Sequence, residues 1–328
     1  MSLRITRRVT AVVVASLAAI PLQAQRTFTS LTMFGDSFSD VGNAAAILNN
    51  PLIPPRFSNG PVWSDVLGAA IGRTADVRPA YVPAAATGVY AVGGAVTASG
   101  LTSTAAQINR WCSAGGAPGS PCTRTADAGA LFVLFIGGND VRAAANLGTD
   151  ALRRQATIDA ANNVVAQAAL LRSRNVGNLL LSYLPDLGRT PDRVGGPQSA
   201  LLTDLTGLFN TTLATGIAGL RVQNPGARFW DLRLDNLFTN LLADPARFGF
   251  TNTTGSCQAD GRLPACTGYV FADGLHPTAA AHALVGAAAF NLVAFDVNVQ
   301  AVPEPATVAL LGAGLAVTGL VARRRRAA

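Results

Sequence analysis

The stretch that decides the fold reads FGDSFSDVGN over residues 34–43. It closes an apolar run, residues 28–34, that ends abruptly in small and polar residues, as a buried strand does on entering a turn. Ligands of open α/β sheets bind outside the carboxyl ends of the strands, so this turn presents Ser37 where a substrate would lie. The hydroxyl of Ser37 could act as a nucleophile if a base reaches it. Capping a helix is the alternative role for a serine in such a turn.

The rest of the chain alternates between short apolar runs and helical patterns. This alternation predicts a mostly parallel sheet covered by helices on both faces. The run at residues 130–136 is continuously apolar, which is typical of a strand buried on both sides. We therefore expect five strands in one domain. The other predicted strands are residues 87–92, 179–184 and 227–232, and the predicted helices are residues 61–67, 101–111, 150–174, 198–222 and 278–293.

The charge distribution excludes a nucleic-acid-binding surface. The net charge is +7, but seven of the 25 basic residues lie at the two ends of the chain. The 18 that remain balance the 18 acidic residues, so the body of the protein is neutral and shows no basic stripe.

Both ends of the chain have the composition of targeting segments. Residues 1–24 combine a basic start, an apolar run and a small-residue ending, which predicts a secretory signal peptide cleaved after Ala24. Residues 301–328 contain Pro-Glu-Pro, an apolar stretch over residues 306–322 and a final arginine cluster. That stretch would form a helix of about 26 Å, which is marginal for spanning a hydrocarbon core of about 30 Å, and we expect it to contact the membrane at least transiently. Residues 25–300 are then the folded domain.

Four cysteines lie in two close pairs, Cys112 with Cys122 and Cys257 with Cys266. Three disulfide connectivities are possible, and pairing within each segment is the simplest. An exported chain permits disulfides. The alternative, a four-cysteine zinc site, needs a spacing that this sequence lacks, so we expect no metal.

The scarcity of histidine restricts the choice of a catalytic base. The chain has only His276 and His282. His282 lies inside a predicted helix, where a packing or surface role is expected. His276 lies at a loop-to-helix junction, and Asp273 three residues earlier could accept its second ring N–H and fix the tautomer.

Two other strand ends carry groups that could stabilise a negatively charged oxygen. Asn139 follows the strand at residues 130–136, and its amide could donate a hydrogen bond to an oxyanion. Gly93 and Gly94 follow another predicted strand and would let a backbone N–H approach a reacting oxygen closely. Both segments are also ordinary turn sequences.

Five blocks, in this order along the chain, resemble the GDSL family of lipases and esterases, also called SGNH hydrolases. They are GDSFSDVGN, AVGGA, GGND, LPDLGRTP and DGLHPT, within residues 35–278. The resemblance implies a flavodoxin-like three-layer α/β/α sandwich around a mostly parallel five-stranded sheet. It also implies hydrolysis of carboxylic esters without a cofactor. Phe38 stands where the family usually has leucine, a change on the packing side of the serine turn.

The same resemblance implies roles for five residues. Ser37 would be the nucleophile, His276 the general base and Asp273 the residue that orients it. The oxyanion hole would consist of the backbone N–H groups of Ser37 and Gly94 and the side-chain amide of Asn139.

The C-terminal segment resembles a PEP-CTERM sorting signal, a class associated with Gram-negative bacteria that make extracellular polysaccharide. It implies an exosortase as partner, export across the inner membrane and a surface or extracellular location. A simple tail anchor is the alternative.

Three functions fit the sequence. The first is an exported serine esterase or lipase. The second is a deacetylase of extracellular polysaccharide, and the third is a non-catalytic surface protein that binds or adheres through the same fold. A binding protein has no chemical reason to keep a nucleophile, an oxyanion donor and an Asp–His pair together, which favours an enzyme.

Overall fold

A computed structural model describes residues 25–81, 83–117 and 119–297. The predicted signal peptide and the predicted C-terminal helix lie outside the described residues. Within those ranges, no helix has both the length and the apolar composition needed to cross a membrane.

A five-stranded parallel sheet forms the centre of the domain. Its strand order is β2-β1-β3-β4-β5, which is the flavodoxin-like order. The predicted fold class is therefore confirmed, and each of the five strands begins within three residues of its predicted start. The strands are β1 (Leu31–Gly35), β2 (Gly88–Val89), β3 (Leu131–Phe135), β4 (Asn178–Tyr183) and β5 (Arg228–Arg233).

Helices cover both faces of the sheet. Every residue of β1, β3 and β4 is buried, and because successive side chains of a strand point to opposite faces, neither face is open to solvent. Two helix pairs pack closely, α2 with α8 and α5 with α6. The helices are α1 (Asn43–Ile47), α2 (Trp63–Ala70), α3 (Thr104–Cys112), α4 (Gly138–Ala144), α5 (Asp150–Ser173), α6 (Ser199–Gln223), α7 (Leu234–Ala243) and α8 (Ala279–Phe295).

The fold differs from the sequence prediction in several features, including two helices, α1 and α7, that are not predicted. Helix α2 begins at Trp63, so Pro61 precedes the helix instead of occupying its first turn. Helix α4 begins within the Gly-Gly-Asn-Asp segment that reads as a turn. A second, two-stranded parallel sheet, β6 (Asn252–Ser256) with β7 (Tyr269–Phe271), forms where a loop is predicted.

The disulfides join Cys112 to Cys122 and Cys257 to Cys266. This is the simplest of the three connectivities that the sequence allows. Each bond closes a short loop, one after α3 and one between β6 and β7. Among the described residues, no group of histidine, cysteine and acidic side chains could hold a metal ion.

The strand order reverses direction at β1, because β2 lies on one side of it and β3 on the other. A crevice opens at such a switch point, outside the carboxyl ends of the strands. The turn after β1 carries Ser37 and the turn after β3 carries Asn139, so the fold brings both residues to this crevice.

Candidate active site

The tight turn after β1 sets the position of Ser37. Gly35 pairs with Phe135 in the sheet, and a Cβ at Gly35 would lie 2.4 Å from the carbonyl oxygen of Phe135, so only glycine fits there. Asp36 then accepts the backbone N–H of Phe38 at 3.0 Å and closes the turn. Ser37 is 8% exposed, which leaves its hydroxyl at the floor of the crevice.

A continuous hydrogen-bonded chain joins Ser37, His276 and Asp273. The Oγ of Ser37 lies 2.8 Å from Nε2 of His276. The Nδ1 of the same ring lies 2.8 Å from Oδ2 of Asp273. Since a carboxylate only accepts, Nδ1 carries the proton of the neutral ring and Nε2 is free to accept from the serine hydroxyl.

The turn that carries His276 is held rigidly by Asp273 itself. The second oxygen of this carboxylate accepts the backbone N–H groups of Leu275 at 2.8 Å and of His276 at 2.7 Å. Burial alone would raise the pKa of Asp273, but the hydrogen bond and charge of His276 and these two N–H groups hold it below its ordinary value. Asp273 is therefore ionised at neutral pH and can stabilise a positive charge on His276.

Phe57 covers the imidazole of His276, with the two ring centroids 5.3 Å apart. Phe57 comes from the Pro- and Asn-rich loop before α2, where no sequence signal marks it as a site residue. Its ring also occupies the space beside Gly93, where a Cβ would lie 2.4 Å from the phenyl carbon Cζ.

The two adjacent glycines differ in whether the backbone N–H is free to donate to a substrate, and Gly94 is the one whose N–H is free. The N–H of Gly93 is bound by Oδ2 of Asp40 at 2.7 Å. Among the described residues, neither the N–H of Gly94 nor that of Ser37 has an acceptor. Gly94 has a φ of +79°, a left-handed conformation that favours glycine.

Asp40 ties the glycine turn to the serine turn. Besides the N–H of Gly93, this buried carboxylate accepts the N–H groups of Gly42, Asn43 and Ala44 at 2.7–3.1 Å. No sequence pattern distinguishes Asp40 as a site residue, although it lies in the same block as Ser37.

Asn139 is fixed against the segment that follows Gly94. Its Nδ2 donates to the carbonyl oxygen of Ala95 at 2.8 Å. An amide nitrogen carries two hydrogens, so one N–H is left to donate elsewhere. The neighbouring Asp140 accepts both the N–H and the hydroxyl of Thr97, at 3.0 and 2.7 Å, which fixes the segment a second time.

Asp36 is a buried carboxyl next to the hydrogen-bonded chain of Ser37, His276 and Asp273. Burial raises its pKa to about 7, with a further contribution from the charge of Asp140, while the N–H of Phe38 and the charge of His276 oppose the shift. At mildly acidic pH Asp36 is therefore neutral, and Asp273 supplies the negative charge next to His276.

His282 takes no part in this arrangement. It is fully buried in α8, its Nδ1 accepts the N–H of Trp63 at 3.3 Å, and its ring lies edge-on to Phe38, with centroids 5.0 Å apart. The packing role expected for it is the one that the structure shows. Burial lowers the pKa of His282 from 6.5 to about 3.

We expect His282 to destabilise the fold as the pH falls below 6.5. Below that value the unfolded chain binds a proton that the folded protein excludes, so the free energy of unfolding drops by about 1.4 kcal/mol per pH unit until about pH 3. Urea unfolding at pH 6.5 and pH 5 measures this drop. Relative to a His282→Gln variant, the wild type should lose about 2 kcal/mol more over this interval. Equal losses in both proteins would contradict the assignment of a neutral, buried imidazole.

Comparison with known proteins gives two family matches. The model of the GDSL-like lipase/acylhydrolase family matches residues 31–289, and the model of the PEP-CTERM protein-sorting motif matches residues 301–326. Together they cover both segments for which the sequence shows a resemblance.

Individual relatives are distant. Esterase EstA of Pseudomonas aeruginosa is 26% identical over 354 residues, which cover 91% of this chain and 52% of the relative. A phosphatidylcholine-sterol acyltransferase of Aeromonas hydrophila is 28% identical over 260 residues, 74% of this chain and 70% of the relative. Among solved structures, LAE5, an α/β hydrolase from the metagenome of Lake Arreo, Spain, aligns with a TM-score of 0.43 at 16% identity, covering 81% of this chain and 95% of that chain. The chain spans about half the length of EstA.

Proposed function

Because the chain belongs to the GDSL-like lipase/acylhydrolase family, we propose that it hydrolyses carboxylic esters through an acyl-enzyme intermediate on Ser37. The observation that carries this proposal is the pair of 2.8 Å contacts that join Ser37 to His276 and His276 to Asp273. This is the arrangement by which a base activates a serine hydroxyl while a carboxylate orients the base.

The first half-reaction transfers the acyl group to the enzyme. Ser37 Oγ attacks the ester carbonyl carbon while Nε2 of His276 takes the hydroxyl proton, and Asp273 stabilises the imidazolium that forms. The tetrahedral intermediate collapses when His276 returns the proton to the leaving alcohol. The second half-reaction repeats these steps with water as the nucleophile, which releases the carboxylic acid and restores the Ser37 hydroxyl.

The negative oxygen of the intermediate needs donors that are already in place. We assign this role to the N–H groups of Ser37 and Gly94 and to the amide of Asn139. Two observations support the assignment: the Gly94 and Ser37 N–H groups have no acceptor within the described chain, and Asn139 keeps one amide hydrogen free after bonding Ala95. Preorganised donors of this kind are a large source of rate enhancement.

Replacing Asn139 with alanine should lower kcat by about 10² to 10³, because one oxyanion donor is lost. KM should change little, since the donor acts on charge that develops only in the transition state. Steady-state kinetics on p-nitrophenyl butyrate measures both values. Asn146→Ala is a matched control, since that exposed side chain lies beyond the C-terminal end of α4. An unchanged kcat in Asn139→Ala would remove this residue from the oxyanion hole.

The general test of function is hydrolysis of p-nitrophenyl esters from acetate to palmitate by the purified protein. We expect turnover of at least part of the series. A folded protein that is inert on every ester would contradict the esterase proposal and leave a binding role on the same fold.

We also propose that the chain is exported across the inner membrane of a Gram-negative bacterium and directed to the cell surface. The match to the PEP-CTERM sorting motif supports this, together with the signal-peptide pattern of residues 1–24 and two disulfides. The motif implies processing by an exosortase, with membrane contact through residues 306–322 before processing. Fractionation of cells that express the full chain or a form lacking residues 301–326 tests this. Identical distribution of the two forms would contradict the sorting role.

A further inference from the structure

The pocket that opens beside Ser37 has a largely apolar wall. Eight of its lining side chains are phenylalanine or leucine, among them Phe38, Phe135, Leu184, Leu187, Phe238 and Leu242. Of these six, all but Phe38 and Leu242 are less than 5% exposed, so the wall is a preformed part of the core. Because buried apolar surface stabilises a bound hydrocarbon, this wall is suited to an aliphatic chain.

The polar residues of the same pocket are largely satisfied by the protein. Asp186 accepts the Gly188 N–H at 2.9 Å and the Thr203 hydroxyl at 2.8 Å. Arg142 forms an ion pair with Asp192 at 2.7 Å.

Three further polar residues line the pocket. The buried hydroxyl of Thr190 donates to the carbonyl oxygen of Leu187, while Arg189 and Thr239 are exposed and have no side-chain partner within the described chain. A sugar ring needs several free donors and acceptors, and this pocket offers few of them.

The residues that line the pocket extend across four strands of the sheet, farther than a two-carbon group reaches. Its walls come from the turn after β1, the end of β3, the segment after β4 and helix α7, which follows β5. In the order β1-β3-β4-β5 this is three strand-to-strand steps, or about 14 Å at about 4.8 Å per step. Because an extended hydrocarbon chain is a zigzag of bonds of about 1.5 Å, it advances only about 1.3 Å per carbon, and roughly twelve carbons cover that distance.

We propose that this pocket is the acyl-binding subsite and that the substrates are esters of medium-length fatty acids, in preference to acetyl esters of polysaccharide. The inference rests on the proposed esterase function. The acyl carbon bonds to Ser37, and the hydrocarbon chain runs from there across β3 and β4 to α7. Leu242, which is only partly buried, stands on α7 at the far end and limits the length that fits.

The experiment compares kcat/KM for p-nitrophenyl acetate, butyrate, hexanoate and octanoate, each below its critical micelle concentration. Each added methylene that enters the pocket should raise kcat/KM by up to about fourfold, so octanoate should exceed acetate by at least tenfold. A parallel series of acetate esters with alcohols from ethyl to octyl separates the acyl side from the alcohol side.

Two tryptophan variants test whether the dependence on acyl length arises in this pocket. Leu242→Trp fills the far end of the pocket and should lower the octanoate-to-acetate ratio of kcat/KM at least tenfold. Leu152→Trp, at a 55% exposed leucine on α5, should leave that ratio unchanged. If Leu242→Trp does not fold, the wild-type series of esters still shows whether octanoate is preferred to acetate.

Three outcomes overturn the inference while the esterase function stands. They are a preference for acetate, a dependence on alcohol length in place of acyl length, and an unchanged ratio in a folded Leu242→Trp protein. Failure of the proposed function is a different result, since the folded wild type would then hydrolyse none of the esters faster than Ser37→Ala.

Discussion

Replacing Ser37 with alanine is expected to lower kcat/KM for p-nitrophenyl esters by about 10⁴ to 10⁶, because the variant has no oxygen to carry the acyl group. The residual rate would come from the oxyanion donors and from substrate binding, which the variant keeps. Steady-state kinetics together with a near-UV circular dichroism spectrum of the variant measures the loss and verifies the fold.

Ser39→Ala is the matched control, since Ser39 lies in the same turn and is also buried. Its hydroxyl accepts the indole N–H of Trp63 at 3.0 Å, so its loss should cost about 1 kcal/mol of stability. The kcat of the folded Ser39→Ala protein should stay within a few-fold of wild type. If Ser37→Ala kept more than a tenth of the activity, Ser37 would not be the nucleophile.

Replacing His276 with glutamine should lower kcat by about 10⁴ to 10⁶, because an amide cannot take the proton of Ser37 or return it to the leaving alcohol. Substrate binding should be little affected, because the apolar pocket is left intact. Kinetics at pH 7 and at pH 9.5 measures the loss, and hydroxide should recover part of the rate in the variant at the higher pH.

His282, the other histidine of the chain, serves as an internal control. His282→Gln should reduce stability, since the residue is fully buried, while the kcat of the folded protein remains close to wild type. Comparable losses of kcat in the two variants would contradict the assignment of His276 as the base.

The fold class and the central residues of the site could be predicted from the sequence because each depends on a local signal. Largely apolar runs mark β1, β3 and β4, since a parallel strand is buried on both faces. Ser37, Asn139 and His276 each lie next to the end of an apolar run or at a loop-to-helix junction. With only two histidines in the chain, the choice of a base was already narrow.

The features that escaped prediction depend on contacts between distant parts of the chain. Helix α4 begins right after Gly137, whose φ of +119° and closeness to the Phe209 ring suit only glycine, and the sequence there is indistinguishable from a turn. Strand β6 is polar throughout and pairs with β7 across the second disulfide loop.

The contacts that shape the site also could not be predicted from the sequence. Phe57 reaches His276 from a loop more than 200 residues away in sequence, and Phe238 reaches the pocket from α7. No local pattern could associate these residues with Ser37. Such contacts are fixed by the packing of the layers and become visible only in three dimensions.

Covalent labelling followed by mass measurement of the intact protein tests most directly whether Ser37 is the nucleophile. Diethyl p-nitrophenyl phosphate reacts with an activated serine by displacement of p-nitrophenolate, which adds one diethyl phosphoryl group and abolishes turnover. We expect a single adduct, located on Ser37 by peptide mapping, a loss of esterase activity in proportion to labelling, and no adduct in Ser37→Ala. An active wild-type protein that stays unlabelled, or a Ser37→Ala protein that is labelled at the same rate, would contradict this assignment.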